Sequence, residues 1–319
     1  MYSFTLENER GNQLVFNQLG GPYTIDEIEG LGPAPATINT SEVGLLDGQQ
    51  YNSAKVQMRT LSIAFAIEYD AAENRIAAFK VCRPKHKIRA YYVSETRDVY
   101  IDGYVHSVDV SYFDMKQVCT VTILCPFPYW QVAQAIIDEM SSVVPSFHFP
   151  FASTGDVYTT AALLTEESDE LHTEASETLL GATVADSSGD KLLVFGIIDP
   201  LASIDIPNNG EVETGITIEF QAFGEIVNPK VYDYETGDFI GVNFTMQAGD
   251  LITINTQAGE KGVTLLRNGV TTNIFNTLMQ GITWLQLPFG GGVYAHEIAS
   301  GQAGDLVINI IHHDLYEGV

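Results

Sequence analysis

A mainly β fold of two β-sandwich domains, the first carrying one α-helix, is what this 319-residue chain predicts. Three observations carry the prediction. Short apolar runs alternate with polar residues at the strand period of two. Turn signals built on Gly, Asn, Asp and Pro punctuate the second half at intervals of roughly ten to twenty residues. Between the halves the composition shifts abruptly to Ser, Thr, Glu and Asp, which places a boundary there and divides the chain into residues 1–143 and 144–319.

In the first half, Leu14 to Phe16 form a brief apolar run after the Arg10-Gly11-Asn12 turn. Tyr23, Ile25 and Ile28 then lead into a loop containing Gly30, Gly32, Pro33 and Pro35. The stretch Tyr51 to Ile67 is the longest β-prone run of the first third. Val56 and Met58 share one parity, whereas Leu61, Ile63, Phe65 and Ile67 share the other, so the buried face changes near Arg59 and Thr60. A bulge, a crossing from one sheet to another at a sandwich corner, or apolar groups offered to a second copy would each produce this change. Val56, Met58 and Arg59 are therefore the candidate subunit-interface residues.

Ala78 to Val81, Ile88 to Val93 and Asp98 to Ile101 continue the strand series. Asp102-Gly103, lying between VYI and YVHSVDV, predicts a two-residue hairpin turn. Val108 and Val110 mark a half-buried strand, and Cys119, Val121, Ile123 and Cys125 mark another. Pro126, Pro128 and Tyr129 stop the sheet. Trp130, Ala133, Ile136, Ile137 and Met140 then fall at helical spacing and predict the helix of this domain, about three turns long.

From 141 to 190 the chain reads as a solvated linker, long loop or edge-strand region, most acidic at 165–177. Beyond it, Ile216, Ile218 and Phe220 alternate in one run and Ile252 and Ile254 in another, between turns such as Thr236-Gly237, Ala248-Gly249-Asp250 and Asn268-Gly269. Many short strands so spaced mean a β-sandwich or jelly roll. Thr271 to Met279 is the one place for a short helical turn.

The formal charge is −26, with 11 Lys and Arg against 17 Asp and Glu in residues 1–140 but 4 against 24 thereafter. Such a surface repels phosphate backbones and argues against sequence-specific nucleic-acid binding, while suiting a passage through which DNA slides. Cys82, Cys119 and Cys125 have no metal or disulfide spacing and read as buried thiols. There is no apolar run of about 18 residues and no export-signal pattern, so membrane insertion is not expected and synthesis is expected in the cytoplasm.

The sequence lacks GxSxG, HExxH, Walker and GxGxxG motifs. His312-His313 with His296 could be proposed as a metal set, but adjacent residues of a strand point to opposite faces. Asp233, Glu235 and Asp238 lack the spacing of a calcium loop and read as a solvated turn. No catalytic residue, metal or cofactor is expected. Trp284 is either a core tryptophan or a sugar-stacking platform, and the latter would make the chain a carbohydrate-binding or adhesion module.

GNQLVFN, YTIDEIEGLGPAPATINT, DGQQYNSAKVQMRTLSIAFAI and CPFPYW resemble, in order, the N-terminal part of the siphovirus distal tail protein (Dit) family. The segment FGEIVNPKVYDYETGDFIGVNFTMQAGDLITINTQAGEKGVTLLRNGVTTN, then LPFGGGVYAHEI and HHDLYEGV, resemble its second half. The resemblance implies an N-terminal sandwich closing as a homo-hexamer ring that continues the tail tube, and a galectin-like C-terminal domain projecting outward. It further implies a structural virion component at the tail tip. Its partners would be the tail tube protein, a tail-associated lysin or tail fibre and, in some phages, receptor-binding proteins, with no catalytic residue.

Overall fold

The computed structural model describes the chain apart from residues 1, 18–19, 43, 45–46, 113–116, 142, 146, 149–151, 154–158, 163–179, 186–190, 194–195 and 199–202. The acidic stretch 165–177 thus lies outside the described residues. Two separate hydrophobic cores organise the rest, one built from residues 4–130 and one from residues 140–310.

The first core is wrapped by one sheet. Its strands are β1 (Ser3–Asn8), β2 (Gln13–Phe16), β3 (Tyr23–Glu29), β6 (Arg59–Ile67), β7 (Lys87–Val93), β8 (Asp98–Val110) and β9 (Gln117–Cys125), in the order β2-β1-β7-β8-β9-β6-β3. The end strands approach each other. Asn17 N–H donates to Tyr23 O at 3.0 Å and the Phe16 and Tyr23 rings lie 6.2 Å apart, so the sheet curls around its contents. Alternation decides what goes inside: Leu61, Ile63, Phe65 and Ile67 from β6 and Cys119, Val121, Ile123 and Cys125 from β9 are all buried.

The parity change has a direct cause. Between β3 and β6 the chain leaves the sheet as a separate hairpin, β4 (Ala36–Glu42) and β5 (Gln49–Val56), and re-enters at Arg59. Val56 therefore belongs to one sheet and Leu61 to another.

Three expectations are corrected. The helix is α1 (Ala71–Val81), not residues 130–140, so the strand expected at Ala78 to Val81 is its last turn. Glu73 in its first turn and Lys80 in its last suit the helix dipole, and the segment is Ala-rich, but only Ala78 and Val81 are buried, so no apolar stripe announced it. Trp130 to Met140 instead forms β10 (Trp130–Val132) and β11 (Ile136–Ser141), each recruited by a distant strand. Asp102-Gly103 is not a turn, because β8 runs unbroken through it. Gly103 is needed for close packing: a Cβ there would lie 2.5 Å from Ile123 Cγ2 and 2.8 Å from Cys125 Sγ.

The second core lies between two sheets. One contains β11, β13 (Thr217–Ala222), β16 (Leu251–Asn255), β17 (Gly262–Arg267), β18 (Val270–Asn273) and β20 (Leu306–His312); the other contains β12 (Ser203–Ile206), β14 (Lys230–Asp233), β15 (Phe239–Gly241) and β19 (Gly292–Glu297). Ile216, Ile218, Phe220, Ile252 and Ile254 face Ile206, Val231, Ile240 and Tyr294 across this sandwich. Asn268 and Gly269 both have positive φ, 52° and 75°, as a two-residue hairpin between β17 and β18 requires. Thr271 to Met279 holds a single 3₁₀ turn at Phe275–Thr277. β10 pairs in the first sheet and β11 in the second core's sheet, and the chain later returns: β21 (Leu315–Tyr316) pairs with β10 in the first sheet.

Candidate functional site

Two features stand apart from the cores: the β4–β5 hairpin and the seam between the domains.

The hairpin is an arm. From Ala36 to Lys55 its described residues are exposed, including Ile38 at 64% and Tyr51 at 62%. Register places Ala36 opposite Val56 and Ile38 opposite Ala54, and directly paired residues share a face. One face near the base is thus Ala36, Ile38, Ala54 and Val56, while Thr37, Lys55, Asn39 and Ser53 form the other. Cross-strand bonds such as Asn39 Nδ2 to Ser53 Oγ at 3.0 Å hold the polar side. An isolated two-stranded ribbon is marginal in water, and on this apolar face Ala36, Ile38 and Ala54 stay exposed. Val56 lies half-buried at the base of the arm, and Met58, just past it, is 54% exposed.

Arg59, expected beside them at a subunit interface, is spent inside the chain. It is 1% exposed, and its guanidinium donates from Nε to Pro128 O at 2.7 Å, from Nη1 to Gly30 O at 2.5 Å and to Gly32 O, and from Nη2 to Glu317 O at 2.5 Å. Its Cζ lies 5.7 Å from the Trp130 ring centroid. Burial draws its pKa below the ordinary guanidinium value. Every acceptor is a carbonyl, so the charge is met by dipoles alone. The loop it holds is tight: Gly30 has φ 91°, and a Cβ there would collide with Thr60 O.

Around Arg59 the domains are stitched together. Trp130 pairs with Tyr316 and Gln131 with Leu315. Glu211 N–H donates to Leu315 O at 2.7 Å, Val319 N–H to Leu31 O at 3.1 Å, and Glu317 N–H to the Glu211 carboxylate at 2.9 Å. Arg97 pairs with Glu211 at 2.6 Å, donates to Gly318 O, and lies over the Tyr316 ring at 4.2 Å. Sequence reading missed this seam because its partners are up to 258 positions apart.

The other singled-out residues disperse. Trp284 is half-buried against the second core, stacked on Phe275 at 5.9 Å and with Lys261 Nζ 5.0 Å from its centroid. His312 is fully buried between Asp138, 3.4 Å from Nε2, and Asp314, 3.6 Å from Nδ1; burial lowers its pKa against the pull of both carboxylates. His313 faces the opposite way, its Nδ1 2.9 Å from Val132 O, and His296 rests against Met140 Sδ at 3.2 Å. Asp233 closes a turn by accepting from the backbone N–H groups of Glu235 and Thr236. Among the described residues no group of three or more His, Cys, Asp or Glu could hold a metal ion, and no helix is long and apolar enough to cross a membrane.

A curled sheet bearing an exposed arm is stitched to a sandwich, and comparison with known proteins shows what this arrangement is similar to. Residues 209–303 match the family model of the siphovirus-type tail component, C-terminal domain. The whole chain has the fold of the distal tail (Dit) proteins. It superposes on phage SPP1 Dit, described as a paradigm of hub adsorption apparatus in Gram-positive-infecting phages, with TM-score 0.63, 12% identity and 98% of each chain covered. Chains of the phage P2 baseplate in its activated conformation, with Ca and with Sr, match at TM-scores of 0.53 and 0.51, again at 12% identity and 98% of each chain. No curated protein matches the sequence.

Proposed function

We propose that this chain is the structural hub of a siphovirus tail tip. Six copies close into a ring that continues the tail tube and hands on to a tail-associated lysin or fibre, after assembly from subunits made in the host cytoplasm. The second domains project outward, where receptor-binding proteins can attach. The arm is the observation that carries this reading: on its face of Ala36, Ile38, Ala54 and Val56, all but the half-buried Val56 are exposed, as is Met58 beside it. A ring needs head-to-tail faces, and an arm laid on the next subunit supplies one. Stable contacts of this kind bury about 800 Å² per partner, within reach of a ribbon of this length plus its base. The modest charge of residues 1–140 favours closure, since only the later residues carry the heavy acidic excess. A sugar platform at Trp284 has less support, because Phe275 and Lys261 already contact its ring.

The test is the mass of the purified chain by light scattering, with negative-stain images. Closed rings for the native chain and monomers for the Ile38→Asp, Val56→Asp double variant are expected. Native chains that stay monomeric at high concentration and fail to dock on isolated tail tubes would refute the reading.

A further inference from the structure

Arg59 touches four pieces of chain at once. It begins β6; its Nη1 holds the Gly30 and Gly32 carbonyls of the loop that feeds the arm; its Nε holds Pro128; its Nη2 holds Glu317, beyond β21. The arm starts at Ala36 and ends at Val56, and Gln57 N–H donates to Pro35 O at 2.8 Å, so both legs of its base adjoin this point. Residues 315–319 reach the second domain through Glu211 and the first through Trp130, Arg97 and Leu31.

We propose that residues 315–319 are a strap that fixes the attitude of the second domain on the first, and that Arg59 is the buckle linking this attitude to the base of the arm. The physical reason is the rigidity of the guanidinium. Its donors lie in one plane at fixed angles, so it cannot swing away from the Glu317 carbonyl and keep its bonds to Gly30 and Gly32. With no carboxylate among its described partners and only 1% of its surface exposed, Arg59 on displacement gives up its bonds to all four carbonyls together, which makes the arrangement two-state rather than gradual. Movement of the strap therefore loosens the loop at the arm's base, and a load on the arm reaches the strap. The consequence for assembly, that seating the arm on a neighbour stiffens the outward domain, depends on the ring reading above. The coupling itself does not.

Arg59 is a positioning residue, so its test uses readouts that a loss of stability alone would not move. Cysteines introduced at Tyr104 and Val270, which are 48% and 64% exposed in the first and second domains, carry spin labels for an interdomain distance distribution. The native thiols do not compete: all three are buried, and burial pushes Cys119 and Cys125 up to about 12. In monomeric Arg59→Met the distribution should broaden. Hydrogen exchange should accelerate about tenfold or more in both 30–35 and 315–319, with 61–67 and 216–220 unchanged. Arg59→Lys should fall between, because an ammonium cannot meet all the carbonyls. An unchanged distance distribution overturns the strap, and acceleration in only one of the two segments overturns the coupling.

Should Arg59→Met fail to fold, the chain lacking residues 317–319 keeps Arg59 and removes only the end of the strap that it holds. It must then broaden the distribution and accelerate exchange in 30–35, and protection there equal to the native chain's would overturn the proposal. Failure of the ring reading would appear only in the mass measurement, not in these.

Discussion

The arm and the strap are both extensions that leave a core, yet they meet opposite fates. The arm pairs only with itself and leaves Ile38, Tyr51 and Met58 to solvent. The strap adds a strand to β10, seats Tyr316 against the first core and receives bonds from Arg59, Arg97 and Glu211. What separates them is where the partner lies. An extended segment is stable when its backbone groups and apolar side chains are covered, and the strap finds that cover within its own chain. The arm finds none among the described residues, which is why the proposed function assigns it to a neighbouring subunit.

That contrast sets an order of expected effects. Arg59→Met should cost the most, about 3–5 kcal/mol in chemical denaturation, because four charge-assisted bonds from one buried side chain are lost at once. A loss under about 1 kcal/mol would mean that the seam is far less committed than the arm–strap contrast requires. Gly30→Ala, at φ 91° and against Thr60 O, should cost about 1–3 kcal/mol and loosen the arm's base, measured by denaturation and by exchange at 31–37.

The pH dependence of His312 sharpens the comparison at the other end of the seam. Its folded pKa is lowered by burial, so the unfolded chain binds the extra proton first. Stability should therefore be full above the ordinary histidine pKa of about 6.5, fall as pH drops through it, and level off below the lowered folded value. His312→Gln should flatten that part of a denaturation series run between neutral and mildly acid pH. Arg97→Ala breaks a partly exposed pair and should cost only about 0.5–1 kcal/mol. Smallest of all, Ile38→Asp should leave monomer stability within about 0.5 kcal/mol while weakening assembly, as expected of a side chain 64% exposed in the free subunit.

Much of the fold was legible where burial follows period two. Leu61, Ile63, Phe65 and Ile67, the run Cys119 to Cys125, and Ile216 to Phe220 all face the cores their alternation predicts. The sheet change at Arg59 was legible as a parity flip, and Val56 falls on the arm. The errors share a cause. Helix α1 has helical composition but almost no buried stripe, so a search for apolar spacing passed over it and settled on Trp130 to Met140, whose apolar residues belong to two different sheets. Gly103 carried a turn signature for a reason of packing. Arg59, a charged residue near an exposed arm, reads as surface until the four carbonyls that enclose it are in place.

By itself, the sequence determined which residues alternate, where the acidic excess lies, that no catalytic motif is present, and a family resemblance carried by ordered segments. Tertiary structure alone decided that residues 315–319 return to the first domain, that the arm stands uncovered, and that a guanidinium joins the two. The reason is that periodicity is written in neighbours along the chain, whereas Arg59 and Glu317 meet across 258 positions and leave no local trace of their contact.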